Sequence, residues 1–312
     1  RDFRYDQIVA EEMGHTAGVA FGLHSTVVAP YLDRLGTEEQ KRRLLPRAVK
    51  GEAILAIAMT EPAAGSDLAG IETHAELRGG SWVLNGSKTF VSNGINADVV
   101  IVAAKTDPIN PRAIGLFLVE SGMPGFDRGR KLEKLGYHAQ DTAELFFRDV
   151  AISCANVLGD PRRGLEALKS LLVDERLIAA CGSLALAHAA FDVTLPYVKE
   201  RKAFGQRVAD FQNTRWKLAE IQTELDVGQA FVDRCVVDLN AGALTPEAAA
   251  EAKLWTAELA GRATDACLQL FGGYGYMWEY PIARLYAAAR VHRIWAGTSE
   301  IMKEIIGRSL VK

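Results

Sequence analysis

The chain has 312 residues, 49% of them hydrophobic and 24% charged, which is enough for more than one packed domain. Its formal net charge of −3 supplies no field that would draw it to nucleic acid or to an anionic membrane, so neither is expected as a partner. The cysteines Cys154, Cys181, Cys235 and Cys267 form no C-x-x-C pair, and the six histidines show no ligand spacing. The cysteines read as reduced thiols of an intracellular protein, and no metal site is expected. Arg1 lies in polar, helix-like sequence without an initiator Met, signal peptide or transit peptide, so a further N-terminal piece is expected in the native protein.

Residues 1–55 read as helical. Thr37-Glu38-Glu39-Gln40 has the form of a capping box ahead of Leu44, Leu45 and Val49. From 56 to 158 the texture changes to short strands and turns. Trp82 to Val91 reads as two runs around Asn85-Gly86, the signature of a hairpin. Val99 to Ala104, Ala113 to Val119 and Leu145 to Phe147 have strand length, which predicts a mainly antiparallel β domain. From 159 to 312 the helical period returns. Leu165, Leu168, Leu171 and Leu172 open a helix predicted to run past Ala190. Its uncharged stretch Leu177 to Phe191 is too short to span a bilayer and reads as a buried bundle helix. Further helices are predicted over 212–240, from Thr245-Pro246 to about 270, and after Thr298. The fold class is therefore α+β: a partial N-terminal helical domain (1–55), a middle β domain (56–158) and a C-terminal helical bundle (159–312).

Two nucleotide motifs are excluded. Gly86-Ser87-Lys88-Thr89 lacks the Gly-Lys pair of a phosphate loop, and Gly272-Gly273-Tyr274-Gly275 breaks the G-x-G-x-x-G pattern and follows a helix. Other segments carry the chemistry: Met59-Thr60-Glu61-Pro62-Ala63-Ala64-Gly65-Ser66-Asp67, then Phe90-Val91-Ser92-Asn93-Gly94, then Glu200 to Gln206 with Phe211-Gln212. Gln269 to Tyr276 and Gly297-Thr298-Ser299-Glu300 complete the set. In this order they resemble the acyl-CoA dehydrogenase family over essentially the whole chain. Ala139 to Phe147 and Tyr276 to Pro281 resemble its long-chain branch most.

The resemblance implies an FAD enzyme that oxidises fatty acyl-CoA, of medium or long chain, to trans-2-enoyl-CoA and passes electrons to an electron-transfer flavoprotein. It implies that Thr60 and the strand before it face the flavin, and that Ser66 lies near the diphosphate and the substrate thioester. Phe90 would cover the isoalloxazine and Ser92 would bond near N5, where the family usually has Trp and Thr; stacking surface and hydroxyl are both kept. Ile57 stands where the family has Tyr, which removes one polar flavin contact. Arg201, Phe204, Gln212, Gln269, Gly272 and Gly273 would hold the cofactor of a neighbouring subunit, a guanidinium suiting phosphate and glycines allowing close approach. Thr298 and Glu300 are further cofactor contacts by the same carry-over.

The reaction needs a base for the α-proton and donors for the thioester oxygen. Most of the family carries a Glu just before Gly-Thr-Ser; here that position is Ala296. Long-chain and isovaleryl-type members place the Glu in a Glu-Arg-Leu segment, matched here by Glu175-Arg176-Leu177. Glu175 is thus the expected base, with its pKa raised towards neutrality by burial beside acyl chain and flavin. Arg176, Ala296 and Gly297 are expected at the substrate, Ala296 through its backbone N–H. The alternatives are a branched short-chain (isovaleryl-type) enzyme, a nitroalkane-oxidising or DNA-associated relative, and a silent acyl-CoA-binding homologue. A homotetramer built as a dimer of dimers is implied. The Ala-, Arg- and Gly-rich composition suggests a bacterial cytoplasm, with the mitochondrial matrix as the alternative.

Overall fold

A computed structural model describes residues 2–16 and 22–311. They fall into two compact units, one from residues 21–133 and 140–172, the other from 1–20, 134–139 and 173–312.

The first unit is a sheet with helices. The helices α1 (Arg4–Gly14), α2 (Ala29–Leu35) and α3 (Glu38–Val49) come first in the chain, and α1 belongs to the other unit. The capping box before α3 forms as expected, with Thr37 accepting from Gln40 N–H and the Gln40 side chain returning to Thr37 N–H. The strands are β1 (Leu55–Ala58), β2 (His74–Arg78), β3 (Ser81–Ser92), β4 (Val99–Lys105), β5 (Ile114–Glu120), β6 (Phe126–Lys131), β7 (Thr142–Ser153) and β8 (Val157–Leu158). They pair in the order β6-β7-β3-β2-β4-β5-β8, while β1 also pairs with β4. Pairing is mainly antiparallel, but β1 and β2 both meet β4 in parallel.

The unbroken apolar runs of β4 and β5 have a simple cause. Val99, Ile101, Ala103, Ile114, Leu116 and Leu118 pack in one core, which also takes Leu32, Leu44 and Leu168. Val100, Val102, Phe117 and Val119 pack in a second core on the opposite sheet face. Strands covered on both sides need no polar alternation.

The expected hairpin at Asn85-Gly86 does not exist. β3 runs continuously through it, and the chain reverses at Gly79-Gly80, where Arg78 pairs with Ser81. Both of those glycines have positive φ (58° and 83°), as a two-residue primed turn requires. Asn85-Gly86 instead sits at a register shift against β7. The Asn85 side chain accepts from Asp149 N–H and donates to the Asp149 carboxylate, and a Cβ on Gly86 would lie 2.5 Å from the Thr73 hydroxyl. A bulge with a bonded amide and a close crossing uses the same two residue types as a turn.

The second unit is helical. Its helices are α1, most of α4 (Gly164–Glu200), α5 (Gln212–Asn240), α6 (Pro246–Phe271), α7 (Pro281–Ala289) and α8 (Ser299–Leu310). A short hairpin, β9 (Lys202–Ala203) with β10 (Gln206–Arg207), connects α4 to α5. Thr245 caps α6 through Ala248 N–H with Pro246 following, and Thr298 caps α8 through Ile301 N–H. Leu177, Leu184, Leu225, Val232, Leu259 and Leu285 share its core.

Leu177 to Phe191 lies within α4 and is largely buried, as the reading of a bundle helix expects; only the length of the helix differs from that reading. With 37 residues α4 is long and apolar enough, by length and composition, to cross a membrane, yet 67% of its apolar window is buried within the protein.

Candidate active site

Within the sheet unit, β1 delivers Met59 and Thr60 beside the end of β3, where Thr89 N–H donates to the Thr60 carbonyl at 2.9 Å. Beneath them is a buried ion pair that the sequence reading missed. Lys88, fully buried, donates to the Glu61 carboxylate at 2.7 Å and to the Met59 carbonyl at 3.0 Å. Glu61 also accepts from the backbone of Glu72 and Thr73 at 2.5 and 3.0 Å. Burial favours a protonated Glu61, but these partners outweigh it and its pKa is lowered; burial pulls Lys88 down to about 8 against the pull of Glu61. The pair fixes both ends of the segment that carries Thr60 and Ser66. Ser66 itself is exposed, before Asp67, which caps a short 3₁₀ turn.

Phe90 is 68% exposed and its φ is +56°, while Ser92 at the end of β3 is half-buried. A bulky residue in the left-handed region costs about 1–2 kcal/mol, and such strain collects at working sites. Among the described residues the other non-glycines with positive φ are Asn93, Tyr137, Asp149, Phe204 and Ala296. Phe90, Phe204 and Ala296 were all named from the sequence.

Within the helical unit, Arg201, Gln269, Gly272 and Gly273 line one cavity of about 550 Å³ together with Tyr197, Phe271 and Tyr274. The Arg201 guanidinium lies over the Tyr274 ring at 5.3 Å. Cβ atoms placed on Gly272 or Gly273 would meet nothing, so open space adjoins this backbone. A cation, exposed peptide groups and room suit a diphosphate. Phe204 and Gln212 do not line the cavity. Phe204 occupies the tip of the β9–β10 hairpin at φ +51°, 96% exposed, edge-on to Phe211, and Gln212 opens α5, exposed.

Glu175 and Arg176 are both buried on α4. Burial lowers the Arg176 pKa, opposed by Glu175, and the Arg176 Nε has no hydrogen-bond partner among the described residues. An unsatisfied buried donor suits a site awaiting a polar ligand. Ala296 (φ +52°) and Gly297 (φ +97°) form a left-handed turn before α8. Lys253, fully buried on α6, donates to the Gly297 carbonyl at 2.6 Å. Burial pulls this lysine to about 8, with Arg176 lowering it further and Glu258 and Glu300 opposing. Glu300, in the first turn of α8, is exposed and has a lowered pKa through the helix-end N–H and Thr298.

Beside this turn lies a second polar group absent from the sequence reading. His292 is buried, with Nδ1 2.7 Å from Ser183 Oγ and Nε2 2.7 Å from Tyr137 Oη. The Ser183 hydroxyl donates to the Ala179 carbonyl at 2.6 Å, so Nδ1–H donates to Ser183 and Tyr137 donates to Nε2. Burial, then the Lys253 charge, lowers His292 to about 3, which keeps it neutral. Trp295 packs on both aromatic partners, at 4.8 Å from His292 and 5.3 Å from Tyr137. Lys253 had a legible signal: it is a lone charge on an Ala and Thr face with Ala249, Ala252, Thr256, Ala257 and Ala260. Tyr137 had none, since it comes from a loop far from His292 in the chain.

Sequence comparison matches the acyl-CoA dehydrogenase N-terminal, middle and C-terminal domains to residues 1–52, 56–150 and 162–311. The mitochondrial long-chain specific acyl-CoA dehydrogenase of Sus scrofa is 48% identical over 309 residues, covering 97% of this chain and 72% of the relative. The mitochondrial isovaleryl-CoA dehydrogenase of Pongo abelii is 40% identical over 309 residues, covering 97% and 73%. The crystal structure of an acyl-CoA dehydrogenase from Geobacillus kaustophilus superposes with a TM-score of 0.97 at 48% identity, covering 99% of this chain and 83% of that one. With all three domains matched in order and the fold reproduced throughout, the chain belongs to the acyl-CoA dehydrogenase family.

Proposed function

We propose that the protein removes two hydrogens from the α- and β-carbons of a medium- or long-chain fatty acyl-CoA, giving the trans-2-enoyl-CoA, with Glu175 as the base for the α-proton. One observation carries this reading. The family position for a base holds Ala296, which cannot take a proton, while a buried carboxylate, Glu175, stands on α4 of the same helical unit. A carboxylate withdrawn from water is a competent base near neutral pH. Bound FAD would supply the hydride-accepting chemistry.

The remaining residues bind, orient and exclude water. Arg201, Gln269, Gly272 and Gly273 would hold the diphosphate and adenosine end of the cofactor, with Phe204 and Gln212 as outlying contacts. Thr60, Phe90 and Ser92 would meet the isoalloxazine, Phe90 by stacking and Ser92 by its hydroxyl, with Thr298 and Glu300 as further cofactor contacts. Ser66 would serve diphosphate and thioester. The Ala296 N–H would donate to the thioester oxygen, with Gly297 permitting the turn, and the unsatisfied Arg176 Nε supplies a further polar contact for substrate. An electron-transfer flavoprotein as acceptor, a homotetramer arranged as a dimer of dimers and a bacterial cytoplasmic setting, with the mitochondrial matrix as alternative, belong to the same reading.

An isovaleryl-type specificity is the second reading, favoured by the position of Glu175 and by the 40% identical isovaleryl-CoA dehydrogenase. One experiment separates the readings: anaerobic addition of saturated acyl-CoAs from C4 to C20, and of branched ones, to the flavin-loaded protein. Bleaching of the flavin absorbance fastest with straight chains of medium or long length is expected. Fastest bleaching with isovaleryl-CoA would select the second reading, and no bleaching with any thioester would contradict both.

A further inference from the structure

We infer that Lys253 is a positioning residue for the thioester site: its ammonium anchors the Gly297–Thr298 peptide and so fixes the left-handed turn whose Ala296 N–H faces the substrate oxygen. The inference rests on the reading above, in which that N–H is an oxyanion donor. Its grounds lie within the helical unit. Lys253 is fully buried, and among the described residues its hydrogen bond goes to one neutral acceptor, the Gly297 carbonyl at 2.6 Å. An ammonium with three donors and a single carbonyl works against the fold unless the held carbonyl matters. That carbonyl belongs to a turn with two consecutive left-handed residues, Ala296 at +52° and Gly297 at +97°. The Ala conformation is sparsely populated and persists only where its surroundings over-determine it.

α6 holds Ser299 as well. Ser299 donates to Glu258 at 2.7 Å, and Glu258 pairs with Arg293 at 3.2 Å. Lys253 and Glu258 therefore tie the Gly297 carbonyl and the Ser299 side chain to one helix, while Thr298 starts α8 from the other side through Ile301 N–H at 3.3 Å. A Cβ on Gly297 would lie 2.6 Å from the Met302 methyl, so this side chain closely covers the turn. Donor placement within a fraction of an ångström is what such bracing delivers, and a misplacement of about 1 Å can cost on the order of 100-fold in rate.

The test uses the flavin-loaded protein with Lys253→Met, which keeps length and apolar bulk but donates nothing. A 3-thia fatty acyl-CoA with a carbon-13 carbonyl reads the turn directly: sulfur at the β-position leaves no hydride to transfer, so the ligand binds without turnover. In the parent its carbonyl infrared band should be lowered relative to free ligand. In Lys253→Met at least half of that shift should vanish, flavin reduction by substrate should slow by about 10- to 100-fold, and flavin content should hold. An unchanged carbonyl band with reduction within twofold of the parent would overturn the inference. Should Lys253→Met fail to fold, Lys253→Gln, which still has an N–H but reaches less far, should lose a smaller part of the shift; a parental band there would equally overturn it. Failure of the parent to bleach with any acyl-CoA would instead count against the dehydrogenase reading, leaving the carbonyl band as a separate measure of Lys253.

Discussion

Lys88 in the sheet unit and Lys253 in the helical unit are both fully buried and both pulled to about 8 by burial, yet their partners differ. Lys88 meets a carboxylate that is itself held by two backbone N–H groups, a closed arrangement in which each charge is answered. Lys253 meets a single carbonyl, with Glu258 and Glu300 acting only at longer range and Arg176 opposing. The first is a structural clamp on the segment before β2. The second spends its charge on the backbone turn of Ala296 and Gly297. The same residue type at the same burial thus closes an ion pair in one unit and holds a backbone turn in the other, and the partner set tells them apart.

The largest expected effect on stability is in the clamp. Glu61→Gln strands a buried ammonium and should cost about 3–5 kcal/mol in urea denaturation. Lys253→Met removes no charge partner and should cost clearly less; equal losses would break the comparison. The clamp also has a pH sign. Because the folded Glu61 pKa is lowered, its contribution is present above the ordinary carboxylate value of 4.5 and is lost as pH falls through the lowered one.

A smaller effect sharpens the picture of the helical unit. His292 is lowered from 6.5 to about 3, so between those values the unfolded chain binds the extra proton and stability falls as pH falls. The slope is at most about 1.4 kcal/mol per pH unit for one group. His292→Gln should flatten the urea midpoint between pH 6.5 and 4.5 relative to the parent; an unaltered slope would show that this histidine protonates freely in the folded state.

Caps and apolar runs made much of the architecture legible. Thr37, Thr245-Pro246 and Thr298 each begin a helix as read, because a cap depends on residues within one turn. Asn85-Gly86 misled because a bulge and a hairpin turn ask for the same side chains, and the choice was made by Thr73 and Asp149 elsewhere in the chain. Gly79-Gly80, the actual turn, carries the same φ requirement without an Asn to mark it. α7 and β6 were not read, the first because nine residues give little period, the second because its sequence Phe126 to Lys131 is mostly charged. At the site, Arg201, Gln269, Gly272 and Gly273 were named from local motifs and do share a cavity. The Lys88–Glu61, Lys253–Gly297 and Tyr137–His292–Ser183 contacts were not named, since each joins residues whose sequence separation hides the pairing.

The central claim is that a relocated carboxylate, Glu175, replaces the base missing at Ala296. Glu175→Gln keeps size and hydrogen-bonding capacity but cannot accept a proton at neutral pH. Single-turnover reduction of the bound flavin by a long-chain acyl-CoA, followed by stopped-flow absorbance, tests it most directly. The account predicts a fall of roughly 10² to 10⁴ in rate with flavin binding preserved. Flavin reduction at the parental rate in Glu175→Gln would contradict it.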